Sequence, residues 1–75
     1  MTKKEILEKF ADYCAMEFRD TVTAVNSGWG DRKDIVKCGL QRCLGIAMFI
    51  QEFDIPFDTV DEIYTSYREK FEKLF

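Results

Sequence analysis

The chain has 75 residues, a formal net charge of −3 at pH 7, three cysteines and no histidine. A chain of this length forms one domain, residues 1–75, and buries only about 60% of the surface that it exposes when unfolded. Hydrophobic residues make up 47% of the sequence, which excludes a disordered chain. Without histidine the protein lacks the usual general base near neutral pH and the commonest transition-metal ligand, so we expect neither an enzyme nor a bound metal or other cofactor.

The location of the protein is predicted from its apolar runs and its cysteines. No stretch approaches the roughly 18 uninterrupted apolar residues of a membrane span, and the amino terminus leads into an amphipathic segment rather than the apolar part of a signal peptide. Cys14, Cys38 and Cys43 form no CxxC pair, and three thiols cannot all pair within one monomer. We therefore expect a cytoplasmic protein with no membrane contact.

The first predicted element is a helix over residues 3–25. Thr2 and Glu5 have the spacing of a capping box, in which each side chain accepts a hydrogen bond from the other residue's amide. Apolar residues then recur every three or four positions for six turns, as on one face of a helix. The β-branched run 21–25 is locally strand-like, but it continues the same stripe and has no partner run, so a helix is favoured. An Asn and two glycines predict a loop over 26–31.

The second predicted helix covers residues 32–52, with Asp31 or Asp34 as its amino-terminal cap. Its second half, residues 43–50, has apolar side chains pointing in every direction. In a helix this pattern indicates burial on all sides, either at the centre of a bundle or inside an oligomer. We therefore expect part of this helix to contact a second chain.

A third helix is predicted over residues 59–74. Pro56 lacks a backbone amide and disfavours helical angles in the residue before it, so a break precedes this helix. Asp58 is the predicted cap, and Glu69 and Lys73 are spaced as a helical ion pair. Three helices with short connections indicate an all-α fold, a small antiparallel three-helix bundle.

The most distinctive local sequence is the Gly28–Lys33 loop, in which the only tryptophan lies between two glycines and beside two cations. The amides at the start of the following helix attract anions. Either the indole contacts a ligand or partner, or it folds back to close the end of the bundle. The loop has neither the GxxxxGK[ST] nor the GxGxxG spacing of phosphate-binding loops. The predicted partner or ligand contacts are Trp29, Arg32, Lys33, Lys37 and Arg42.

Charge is distributed unevenly along the chain. Residues 1–25 sum to −1, residues 26–50 to +2 and residues 51–75 to −4. Four basic residues in an acidic protein are too few for a nucleic-acid footprint, so nucleic-acid binding is not expected. A basic patch and an acidic patch on one small protein suit pairing with a second copy or with a charged partner.

Two features of the sequence indicate an oligomer interface. Gly39 and Gly45 each cost about 1 kcal/mol relative to Ala within a helix, which favours close packing inside the bundle or between chains, with room for a small ligand as the weaker alternative. Aromatic and Met residues also exceed what one stripe per helix can bury, and this surplus is typical of helix-mediated interfaces. The predicted oligomer interface consists of Gly39, Cys43, Ile46, Met48 and Phe49.

The sequence therefore predicts a non-enzymatic protein-interaction module that self-associates as a dimer and binds a protein partner, as an inhibitor or adaptor would. The alternative is a small-ligand binder that holds an anionic molecule, such as a nucleotide, near the Gly28–Lys33 loop. The thiols have no imidazole to activate them and are predicted to be buried apolar groups rather than nucleophiles. No motif assigns the chain to a family.

Overall fold

A computed structural model describes residues 1–75 and contains three α-helices, α1 (Lys3–Ser27), α2 (Arg32–Ile50) and α3 (Phe57–Glu72). A short 3-10 turn, Gln51–Phe53, directly follows α2. The three-helix bundle predicted from the sequence is therefore confirmed, and the strand-like run near the end of α1 is helical.

Helices that follow one another in the chain run antiparallel. Arg32 at the start of α2 donates a hydrogen bond from Nη1 to the carbonyl oxygen of Leu74, just beyond the end of α3 (3.1 Å). Ile50 at the end of α2 lines the same cavity as Ile6 near the start of α1. Each of these contacts joins the beginning of one helix to the end of its neighbour, as the predicted antiparallel arrangement requires.

The first and third helices are parallel to each other. Phe18 and Phe71, both in the second half of their helices, pack edge to face with ring centroids 5.3 Å apart. The resulting bundle is elongated, with extents of 39 × 18 × 16 Å. Only 12 of the 75 residues are buried, so a large share of the apolar side chains has no place inside. The buried apolar core consists of Phe10, Cys14, Val36, Cys43, Ala47, Ile50, Ile55, Val60 and Phe71.

The boundaries of α1 follow from its caps. The amide of Glu5 donates to Thr2 Oγ1 (3.1 Å) and the amide of Thr2 donates to Glu5 Oε1 (3.4 Å), which confirms the capping box. The helix continues to Ser27, two residues beyond the predicted end. It stops there because Gly28 adopts the left-handed conformation (φ 68°), and the Gly28 amide then donates to the carbonyl oxygen of Val25.

The start of α2 is confirmed and its end is not. Asp31 is the cap, since its Oδ1 accepts from the amide of Lys33 (3.3 Å). The helix ends at Ile50 rather than at residue 52. The chain tightens into the 3-10 turn and Asp54 then takes a left-handed conformation (φ 62°), from which a helix cannot continue.

The third helix begins two residues before the predicted start and ends two residues before the predicted end. Pro56 precedes its first turn and no side chain caps it, so the prediction of Asp58 as the cap is wrong. Asp58 lies in the first turn instead, where a negative charge is favourable. The ion pair on this helix joins Arg68 and Glu72 (3.3 Å) rather than the predicted residues one position further on.

The two glycines of α2 lie in different environments. A Cβ atom added at Gly39 would lie 2.5 Å from Thr21 Oγ1 and 2.8 Å from Phe71 Cε1, so α1 and α3 both approach the α2 backbone there. A Cβ atom added at Gly45 would meet no atom within 4 Å. Gly39 and Cys43, both predicted at an oligomer interface, are instead buried within the monomer, because the close packing that they permit is used by α1 and α3.

Alanine substitution at these two glycines is expected to change stability in opposite directions. Gly39→Ala gains helix propensity but overpacks the core, and we expect it to lower the free energy of unfolding by about 1–3 kcal/mol. Gly45→Ala has no steric cost and should raise the free energy of unfolding by up to about 1 kcal/mol. Urea denaturation at low protein concentration, followed by circular dichroism, measures both values, and equal effects at the two positions would contradict this packing.

Candidate functional site

Large apolar side chains are exposed along the last two turns of α2 and into the start of α3. Met48 is 63% exposed and Phe57 is 60% exposed, values far above those of core residues. Monomeric proteins seldom leave such residues together on one surface. We call this group the apolar surface, and it consists of Leu44, Met48, Phe49, Phe53 and Phe57.

One side of the apolar surface borders a groove between α2 and α3. Leu44, Met48 and Phe57 lie along this groove, which has a volume of about 340 Å³ and includes Ala47 and Val60 among its lining residues. These last two residues are buried. An apolar side chain from another molecule could therefore contact both the rim and the floor of the groove.

The other side of the apolar surface is aromatic. The rings of Phe49 and Phe53 pack edge to face, with centroids 5.2 Å apart and an interplanar angle of 80°. Both rings remain exposed, because they lie against each other and not in the core. Ile46, the remaining residue of the predicted oligomer interface, is only partly buried and packs against the core. Met48 and Phe49 are thus the predicted interface residues that the structure places on the outside.

The apolar surface has a glycine, Gly45, among its large side chains. Residues four apart on a helix are neighbours, so Leu44 lies beside Met48 and Gly45 lies beside Phe49. Gly45 has no side chain and no neighbouring atom from another part of the chain. The helix backbone is therefore uncovered at Gly45, a point that we call the depression because it lacks the side chain that its neighbours carry, and the exposed Met48 lies next to it.

The core-facing row of α2 explains why these side chains are outside. Gly39, Cys43 and Ala47 form this row, and all three are small and buried. Small side chains allow α1 and α3 to come close to α2. The three-and-four spacing of apolar residues by itself puts Leu44 on the core-facing stripe of α2, but it is exposed because Cys43 and Ala47 occupy the sector between the neighbouring helices.

Unpaired charges of opposite sign flank the apolar surface along the chain. On the first turns of α2, Lys33 and Lys37 are exposed and take part in no ion pair. In the segment after α2, Glu52 and Asp58 are exposed and also unpaired, whereas Asp54 pairs with a lysine near the start of α1 (3.6 Å). The exposed apolar area therefore lies between a basic and an acidic segment.

Trp29 does not close the end of the bundle. It is 83% exposed, the highest value among the large apolar residues. Its indole lines an open cavity of about 290 Å³ together with Asp20, Thr23 and Ala24 on the last turns of α1. Of the two interpretations of this loop, the structure excludes the one in which Trp29 covers the core.

The basic residues predicted as ligand contacts divide into two groups. Both arginines bind within the protein, Arg32 to the carbonyl oxygen of Leu74 and Arg42 to the carboxylate of Glu17. The hydrogen bond with Glu17 raises the pKa of Arg42. Only Lys33 and Lys37 remain free, so the predicted group of five contacts is not brought together as one site.

Sequence reasoning missed the role of Glu17. Its carboxylate is buried on the core side of α1 and its partner is Arg42, so the pair joins α1 to α2. The position of Glu17 contained the signal, since it lies three residues after Cys14 and four before Thr21, both on the predicted apolar stripe. A carboxylate on such a stripe needs a cation from a neighbouring element.

The three thiols differ in environment. Cys14 and Cys43 are fully buried, and the neighbouring Cys43 thiol together with burial raises the pKa of Cys14. Cys38 is exposed on α2, contrary to the prediction that all three thiols are buried. It borders a cavity of about 370 Å³ that is also lined by Asp31 and Asp34.

Comparison with known proteins identifies no relative, since no family model, curated protein or solved structure matches the chain. No helix of the bundle combines the length and apolar character needed to cross a membrane. The structure also contains no group of three or more His, Cys, Asp or Glu side chains arranged to hold a metal ion.

The environments of the thiols predict a stepwise reaction with a thiol reagent such as dithiobis(nitrobenzoic acid). We expect one equivalent, Cys38, to react quickly in the folded protein, because Cys14 and Cys43 are buried and inaccessible to the reagent. The other two equivalents should react at the rate of unfolding, and all three should react at once in denaturant. A Cys38→Ser variant with a remaining fast equivalent would contradict this assignment.

Proposed function

We propose that the protein is a non-enzymatic protein-interaction module that self-associates and binds a protein partner through its apolar surface. The observation that carries this proposal is the group of five large apolar side chains left exposed between Leu44 and Phe57. Aromatic and Met side chains of this kind are enriched at the centres of protein interfaces.

The energy of burial supports the same proposal. Covering apolar surface contributes roughly 25 cal/mol for each Å² removed from water. Four of the five side chains are phenylalanine or methionine, which offer large contact areas. Phenylalanine also has few rotatable bonds. The adjacent groove between α2 and α3 adds concave surface, into which a partner side chain would fit.

A role without catalysis, in the cytoplasm, agrees with the side-chain chemistry. A nucleophilic thiol needs a nearby base or cation and access to substrate, and Cys14 and Cys43 are both fully buried. An exposed and unpaired Cys38 suits a reducing compartment such as the cytoplasm.

Loss of partner binding on substitution of the apolar surface tests the proposal. Met48→Asp and Phe49→Asp should abolish capture of specific proteins by the immobilised chain from a lysate of the source organism, as identified by mass spectrometry. Both side chains are already more than half exposed, so we expect the variants to fold, which circular dichroism verifies. Phe75→Asp changes an exposed apolar residue outside both candidate sites and is the matched control. An identical set of captured proteins for all variants would contradict the proposal.

An anion-binding function at the Gly28–Lys33 loop is the second candidate, and the exposure of Trp29 favours it. The indole is free to stack on a base, and Lys33 and Lys37 are unpaired. The carboxylates of Asp31 and Asp34 lie beside these lysines in sequence and oppose an anion there. Because these opposing charges weaken anion binding, the loop is a weaker candidate site than the apolar surface.

Tryptophan fluorescence tests the second candidate directly, because the chain has a single tryptophan. Titration with ATP and GTP should quench or shift the emission of Trp29 if a nucleotide stacks on it, and Lys33→Glu combined with Lys37→Glu should remove the effect. We expect no saturable change, since the two arginines are engaged elsewhere. Saturable quenching at micromolar nucleotide would reverse the order of the two candidates.

A further inference from the structure

Building on the proposed function, we propose that the apolar surface binds a second copy of this chain, with α2 packed antiparallel against α2 and a two-fold axis that passes between Gly45 and Met48. In this arrangement Met48 of each copy lies in the depression above Gly45 of the other. The shape, the charge distribution and the area of the surface each support this arrangement.

The shape of the surface is self-complementary. Gly45 leaves a depression that no atom of the monomer fills within 4 Å of its Cβ position, and Met48 projects from the next turn of the same face. A two-fold axis between these two positions pairs the projection of each copy with the depression of the other. Glycine destabilises a helix relative to alanine, and nothing inside the monomer requires a glycine at position 45. Close approach of a second helix supplies that requirement.

The charges select the antiparallel orientation. With a rise of about 1.5 Å per residue, Lys37 lies roughly 14 Å to one side of the axis, and Glu52 lies roughly 8 Å to the other side, within reach of a lysine side chain. Antiparallel packing brings the basic half of α2 in one copy opposite the acidic segment after α2 in the other, and the two-fold symmetry repeats this contact. Parallel packing would place Lys37 beside Lys37 and Glu52 beside Glu52, so repulsion disfavours it.

The available area fits a second copy of this size. A standard interface covers about 800 Å² on each partner, which is about a sixth of the 5124 Å² surface of this chain. A large side chain has roughly 200 Å² of surface, so five such residues exposed by about half contribute on the order of 500 Å² in each copy. The flanking polar residues of α2 supply the rest, which gives the interface an apolar centre and a charged rim.

Sedimentation velocity across a concentration series, from low to high micromolar, tests self-association in the intact chain. The wild type should form a dimer. Gly45→Met fills the depression without any clash inside the monomer, and we expect it to raise the dissociation constant at least tenfold. Ser66→Met adds the same side chain to an exposed position of α3 and should leave the constant unchanged. Lys37→Glu should weaken the dimer about tenfold, and combination with Glu52→Lys should restore it.

Pulsed electron paramagnetic resonance tests the orientation, because Cys38 is the only exposed thiol and accepts a nitroxide label selectively. Cys38 lies eight to nine residues before the axis, so antiparallel packing separates the two labels by about 25 Å, whereas parallel packing brings them side by side. A strict monomer would overturn this inference and the self-association part of the proposed function. If capture of a protein partner still depended on Met48, the partner-binding part would remain supported. A dimer that tolerates Gly45→Met, or one with adjacent labels, would overturn the inference alone.

Discussion

The close packing of α1 and α3 against the small-residue row of α2 is the constraint on which the rest of the structure depends. Gly39 forms the tightest point, where Thr21 of α1 and Phe71 of α3 both approach the α2 backbone. Cys43 and Ala47 continue this row without filling much space. Because the row is narrow, the neighbouring helices cover only a thin sector of α2. Everything apolar outside that sector is left for solvent or for another molecule.

The same helix therefore supplies the centre of the core and most of the exposed apolar area. Leu44, Met48 and Phe49 lie within one turn of buried residues, yet each remains exposed. Arg32 and Arg42 form hydrogen bonds that join α2 to its neighbouring helices, so neither arginine is free for a ligand. The surface is consequently apolar at its centre, with unpaired lysines at one side and unpaired carboxylates at the other. Such a surface suits a protein more than a small anion.

Much of the fold was predictable because its signals are local. The capping box at Thr2 and Glu5 and the break before the third helix each depend on a few adjacent residues, and each was placed correctly. For the cap of α2 the same local signals left Asp31 and Asp34 as alternatives, and the structure has Asp31. Errors of about two residues at the helix ends arose where backbone conformation decided the outcome. The left-handed Asp54 is one example, since nothing adjacent to it requires that conformation.

The sequence by itself determined that the chain forms three helices, that α2 has more apolar surface than one face needs, and that charge differs between the segments. Only the tertiary structure decided that Gly39 and Cys43 are inside while Gly45 and Met48 are outside, and that Trp29 is free. The reason is geometric. Helical periodicity specifies which residues share a face, but the sector that becomes buried depends on where the other helices approach, and distant residues on those helices set that approach.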